Sequence, residues 1–310
     1  MNVLVTGGAG FVGSHFVRAV LDDRLVGLQG APVTVLDKLL YAGTAFANLN
    51  DVAHAKRLDF HPGDAADAAI AEMALRGCDT VVNCAFSPGP DHVLATAALL
   101  EAAHRQGVAR FVHMSSDSVY GSIPEDPVGE DFPLSPTTPA AACVAGADLL
   151  AAAFHRTHGL PVVIVRAATT YGSHQSPSAT LPRAVTGLLE GRTVPMCPER
   201  VRDWLHVDDL CQAMAVATTS GTAGETYHVG GSVELNERDL LELVLAEVGA
   251  EAGQVTVVPP GPGDDRRYAL DDEKIRTELG WQPRVEFTSG LARTVRWYRD
   301  HPDWWRPQLG

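Results

Sequence analysis

Two rhythms of hydrophobic and polar positions alternate over the first 170 residues. Short β-branched runs recur at Asn2–Thr6, Val33–Leu36, Arg57–His61, Thr80–Cys84, Arg110–Met114 and Val162–Arg166. Between them lie longer stretches rich in alanine and leucine, in the pattern of helices. Strands alternating with helices in this way predict an α/β fold: a Rossmann-type, doubly wound parallel sheet with helices on both faces. From Tyr171 onward the rhythm is broken at Ser176-Pro177, Val194-Pro195 and the run from Pro259 to Gly263, which predicts a smaller C-terminal α/β substrate lobe. The expected division sets residues 1–170, with a returning segment at about 205–230, against 171–204 and 231–310. Helical patterns recur at Asn236–Val248 and Ser289–Arg299, and Trp297, Trp304 and Trp305 are expected to pack onto the second lobe.

With 45% hydrophobic and 20% charged residues, the 310-residue chain is neither disordered nor fibrous in composition. Its longest alanine-rich apolar stretch, Ala140 to Phe154, contains Asp148 and is shorter than the roughly 20 residues that cross a bilayer, so no membrane partner is expected. The opening Met1-Asn2-Val3-Leu4-Val5 has no basic and apolar leader, and a cytoplasmic location is expected. Cys78, Cys84, Cys143, Cys197 and Cys211 are widely spread, which indicates buried thiols and neither a disulfide framework nor a metal site. A net charge of −14 repels a phosphate backbone and argues against nucleic acid, although single arginines can still hold a small anion.

The segment Val3-Leu4-Val5-Thr6-Gly7-Gly8-Ala9-Gly10-Phe11-Val12-Gly13 runs from an apolar strand through a glycine turn into an apolar helix. A tight turn, a pyrophosphate approaching bare backbone and a helix N-terminus offering free N–H groups each favour glycine, here Gly7, Gly10 and Gly13, with Phe11 and Val12 opening the helix. Asp37 follows the second strand, 24 residues after Gly13, where a carboxylate accepts ribose hydroxyls and disfavours a 2′-phosphate. NAD is therefore the expected cofactor. Asp64 in Gly63-Asp64-Ala65 is placed at the adenine end, or else simply caps a turn, and Lys38, Ala65 and Ala85 complete the expected cofactor contacts.

At this point the chain resembles the extended short-chain dehydrogenase/reductases, most closely the dTDP-glucose 4,6-dehydratases. The resemblance rests on Thr6 to His15, on Leu36-Asp37-Lys38-Leu39-Leu40-Tyr41-Ala42-Gly43, on Ser115-Ser116-Asp117-Ser118-Val119-Tyr120-Gly121, on Arg202-Asp203-Trp204-Leu205-His206-Val207-Asp208-Asp209 and on Asp265-Arg266-Arg267-Tyr268. It implies a nucleotide diphosphate sugar, dTDP-linked, lying between the lobes with its sugar under NAD. Arg202 and Arg267 fall where the family binds the diphosphate, with Asn236 nearby; forked guanidinium donors suit phosphate oxygens, and the competing reading is a pair of surface ion pairs. The resemblance also implies a homodimer through a four-helix interface built from Asp91–Gln106 and Ala140–His158 of each copy.

The same resemblance exposes a break. A Tyr-x-x-x-Lys pair on one helix moves the sugar hydroxyl proton in this family and holds the nicotinamide ribose. The matching positions here are Ala140 and Val144, and no shift of register rescues the pair, since no tyrosine lies between Tyr120 and Tyr171 and no lysine between Lys56 and Lys274. The family's aspartate that helps expel the C6 hydroxyl is kept as Asp117, whereas the glutamate that removes the C5 proton is Ser118 and the threonine on the C4 oxygen is Ser116. Thr169 and Thr170, the latter a substrate-binding candidate, replace paired asparagines, Ser178 and Ala179 replace a Glu-Lys pair, and a segment usual in the family is missing between Ala85 and Val93. Asp117 and Ser116 remain as candidate catalytic groups, and His113 and Tyr120 either take new roles or pack. The expectation is an NAD-using nucleotide-sugar enzyme with very weak dehydratase turnover; the alternatives are a catalytically silent binding or regulatory partner and a non-redox enzyme on the same scaffold.

Overall fold

A computed structural model describes residues 1–39, 46–124, 126–261 and 263–309. The first half runs β1 (Val3–Thr6), α1 (Phe11–Leu21), β2 (Val33–Asp37), β3 (Leu58–Pro62), α2 (Ala68–Ala74), β4 (Thr80–Asn83), α3 (Asp91–Gln106), β5 (Arg110–Ser116), α4 (Pro139–His158), β6 (Val162–Ala167) and β7 (Thr169–Tyr171). Then follow α5 (Thr180–Leu189), β8 (Val194–Met196), β9 (Val201–His206), α6 (Val207–Ser220), β10 (Thr226–Val229), β11 (Val233–Asn236), α7 (Glu237–Val248) and β12 (Val255–Val257). Helices α8 (Glu273–Leu279), α9 (Phe287–Asp300) and α10 (Pro302–Trp305) close the chain. Leu40–Gly43 and Pro262, used in the sequence reading, lie outside the described residues.

Seven parallel strands form one sheet in the order β10-β6-β5-β4-β1-β2-β3. Strands β1, β4 and β6 are buried along their whole length, as strands covered on both faces must be. One core cluster unites α1 and α6 with one face through Phe16, Val17, Leu210 and Met214; another joins α2 and α3 to the sheet through Ala71, Leu99 and Phe111. Six strands are expected from the sequence and the sheet has a seventh: Tyr227 of β10 pairs with Val165 of β6. A strand of four residues behind a Gly-rich connection carries too little alternation to be read beforehand.

Helix ends follow local chemistry. Thr138 caps α4 by accepting from the Ala141 N–H at 3.2 Å, with Pro139 in the first turn, and Gly159 ends it in the left-handed conformation. A three-stranded sheet, β11-β9-β7, and the pair β12-β8 belong to a separate core built on Tyr171, Leu181, Trp204, Leu240, Phe287 and Trp305. Trp297 and Trp304 pack against that core, and Trp305 is buried within it.

Candidate active site

The carboxyl ends of β1 to β4 and the start of α1 enclose a crevice of about 430 Å³. Gly7, Gly10, Phe11, Val12 and Gly13 from the turn, Asp37, Lys38, Asp64 and Ala65 from the neighbouring strand ends, and Ala85 beyond β4 all line it. Gly7 has φ +66°, and a Cβ there would stand 2.6 Å from the Ala85 Cα. A Cβ on Gly13 would stand 2.1 Å from the Gly7 carbonyl oxygen, so turn and helix touch only because both residues are glycine. Gly10 is the N-cap of α1 with no side chain capping the first turn, which leaves backbone N–H groups for an anion.

Asp37 is fixed at both oxygens: Oδ2 accepts from the Ala9 N–H at 2.9 Å and Oδ1 from the Leu39 N–H at 2.8 Å. Burial nevertheless raises its pKa above the usual carboxylate value. Lys38 Nζ lies 3.3 Å from Asp64 Oδ2, a partly exposed pair at the end of the crevice beyond β2 and β3. These residues fit a dinucleotide: backbone close enough for a pyrophosphate, an uncapped helix end, and an oriented carboxylate for ribose hydroxyls.

At the end of β5 the Ser116 hydroxyl donates to Asp117 Oδ1 at 2.9 Å and accepts from the Ser118 N–H at 3.2 Å, while Thr169 Oγ1 donates to Asp117 Oδ2 at 3.3 Å. Burial pushes the Asp117 carboxyl up to about 6, against these hydrogen bonds and the charge of Arg202. Asp203, buried beside it on β9, is pushed to about 7 by burial, and the Asp117 charge adds to the rise. Two carboxyls in one buried region thus titrate close to neutrality.

The candidates for the substrate lie outside the 430 Å³ crevice. Arg202 stacks over the Tyr268 ring at 4.2 Å and donates to the carbonyls of Val201 and Asp265 at 2.7 and 3.0 Å. Arg267 forks onto Glu234 at 2.9 and 2.8 Å and donates to the Pro124 carbonyl. Thr170 donates to the Ala168 carbonyl, and Asn236 caps α7, accepting from the Asp239 N–H at 2.9 Å and donating to its carboxylate at 2.8 Å. Ala140 is half-buried in the first turn of α4, and Val144 is buried one turn later.

Tyr120 and His113 are engaged elsewhere. Tyr120 shares its hydroxyl with Arg166 and His228, each at 2.5 Å, and burial raises its pKa to about 12. His113 sits deep on β5 beside Asn83. Residues that sequence reasoning did not single out also face the crevice, among them Phe86, His92, Met114, Gln175 and Ser176. For His92 the available signal was its place in the first turn of the helix that follows β4, where a helix N-terminus opens onto the strand ends.

Fold and crevice together define a dinucleotide-binding protein of the Rossmann class. Residues 3–230 match the NAD dependent epimerase/dehydratase family, and the chain belongs to that family. A dTDP-glucose 4,6-dehydratase of Streptomyces niveus is 46% identical over 99% of this chain and 95% of its own length. The crystal structure of DesIV, the dTDP-glucose 4,6-dehydratase of Streptomyces venezuelae with NAD and TDP bound, superposes with a TM-score of 0.96 at 45% identity, covering 99% of this chain and all of the other. The Bacillus anthracis dTDP-glucose 4,6-dehydratase in complex with NAD gives 0.93 at 34% identity, with 99% of each chain covered. The cofactor is NAD, which when bound supplies a two-electron acceptor for an alcohol carbon.

Proposed function

We propose that the chain binds NAD and a dTDP-linked sugar and turns that sugar over very weakly as a 4,6-dehydratase. One observation carries the reading: the crevice has the glycine turn and the oriented Asp37 carboxylate that suit the dinucleotide, while α4 carries only the methyl of Ala140 and the isopropyl of Val144 where the resemblance calls for a phenol and an amine. A positioned acid/base is worth about 10²–10⁴ in rate, or roughly 3–5 kcal/mol of barrier. Ser118 removes a further base. Asp117, near half-protonated at pH 6, remains able to give a proton to a leaving hydroxyl, with Ser116 orienting its carboxyl. For a diphosphate to dock, Arg267 exchanges Glu234 for phosphate oxygens and Arg202 swings from its backbone carbonyls, with Asn236 and Thr170 beside them.

The test is whether protein carrying NAD converts dTDP-glucose to a 4-keto-6-deoxy product. A rate about 10²–10⁴-fold below that of an intact dehydratase is expected, with partial recovery in the Ala140→Tyr, Val144→Lys, Ser118→Glu variant. Full-speed turnover by the unaltered chain overturns the reading. A second reading, a silent partner of another dehydratase subunit, is favoured by Leu94 on α3 and Leu149 on α4, which are 59% and 58% exposed on helices that pack side by side. No recovery in the triple variant despite bound NAD favours a changed substrate.

A further inference from the structure

His92 lines the crevice from the first turn of α3, yet it is only 3% exposed and its Nε2 is buried without a hydrogen-bond partner. Its ring centroid lies 6.2 Å from that of His113. His113 has a defined tautomer: Asn83 Oδ1 accepts from the Thr6 hydroxyl at 2.6 Å, so the Asn83 amide donates to His113 Nδ1 at 3.1 Å and the ring proton stays on Nε2. That Nε2 lies 3.4 Å from Asp148 Oδ1 in a fully buried pair, whereas His92 Nε2 is buried with no partner. Buried polar atoms are nearly always paired, so the orphaned His92 Nε2 in the wall of the crevice marks a place built for a proton or a bridging water.

The location matters because Ala140, Val144 and Asp148 follow one another at i, i+4 and i+8 along α4. The buried Asp148 thus lies one turn below the position that lacks the amine. Its other oxygen is held by Arg166 Nε at 2.8 Å, and although burial opposes ionisation, His113 and Arg166 keep its carboxyl below the usual range. Burial and the neighbouring His113 lower His92 to about 4, partly offset by Asp148, so the ring is neutral at physiological pH, with a lone pair on one nitrogen. Phe86 covers it from the loop after β4, and the charges around the cluster are those of Asp148, Arg166 and Asp91.

We propose that His92, backed by His113 and Asp148, is the acid–base residue at the nicotinamide end of the crevice and fills the role left open at Ala140 and Val144. The proposal rests on the NAD-binding reading above. The hydroxyl O–H of the bound sugar would break, directly or across one water, and an N–H would form on the imidazole, with NAD, when bound, supplying the acceptor for the carbon-bound hydrogen and its electron pair. The imidazolium is then stabilised by the Asp148 carboxylate.

The experiment uses the full chain labelled with ¹⁵N-histidine, titrated with NAD, NADH or ADP-ribose, with calorimetry recording binding of each. One neutral imidazole, missing from the His92→Asn spectrum, is expected to shift its ring nitrogens with NAD and to stay unmoved with ADP-ribose, which lacks the nicotinamide. Its titration midpoint is expected about 1 pH unit lower with the cationic oxidised coenzyme than with the reduced form. In Asp148→Asn the same midpoint falls further; should that variant fail to fold, the NAD against NADH difference decides alone. Ring nitrogens indifferent to NAD in protein that binds it overturn the role of His92 and leave the NAD reading intact. No binding of NAD at all overturns both.

Discussion

Gly13 and Asp117 set the sharpest expectations for single residues. Adding one methyl at Gly13 drives a carbon into the Gly7 carbonyl at 2.1 Å, with backbone on both sides and no side chain able to yield. Gly13→Ala is therefore expected to lose about 1–3 kcal/mol of stability and most of its affinity for NAD, read by urea unfolding and calorimetry. Asp117 bears on pH. Its folded pKa of about 6 lies above the ordinary 3.8, so the folded state holds the proton more tightly. The stability this confers is complete below pH 3.8 and is lost as pH rises through 6. Asp117→Asn, which cannot ionise, is expected to be more stable than the parent above pH 6 by up to about 3 kcal/mol, with the advantage vanishing near pH 4. Equal denaturation midpoints at pH 5 and pH 8 would contradict this. Much of the crevice was legible at this scale, because a glycine turn and a strand-end carboxylate obey backbone requirements visible in sequence. His92 was not, since its meaning depends on His113 and Asp148, which are distant in the chain and meet only through packing.

Elements were legible in proportion to their length and periodicity. The six strands of the first half are legible to within two residues at each end, most readily in β1, β4 and β6, where full burial makes the strand an apolar run. Strand β10 is too short to carry that signal, and β7 and β8 are shorter still at three residues each. Helix α7 illustrates a residue with two readings. Asn236 was singled out for substrate, whereas its side chain spans the first turn of α7, accepting from the Asp239 N–H and donating to the Asp239 carboxylate. Asn236→Ala is expected to cost about 1 kcal/mol through the lost cap, seen as a lower denaturation midpoint, and Asn236→Asp much less. Helix α4 carries the opposite lesson: its alanine-rich sequence forms a sound helix, and only the absence of particular side chains at Ala140 and Val144 signals a change of chemistry.

At the scale of the molecule, α3 and α4 lie side by side with Leu94 and Leu149 turned outward. If these faces join two copies, as the resemblance implies, Leu94→Glu with Leu149→Glu is expected to halve the mass seen by sedimentation while leaving the far-ultraviolet circular dichroism unchanged. A chain already monomeric before substitution would exclude that interface. The path of the backbone has a last consequence. After β7 and β9 have joined the small sheet, α6 packs under the large one and β10 takes its rim beside β6, before the chain leaves again for β11. A clone stopped near residue 170 would leave the β6 backbone unzipped and strip the greasy underside of the sheet, inviting edge-to-edge aggregation. The two cores are thus stitched rather than strung, and neither can be lifted out by scissors applied at one point.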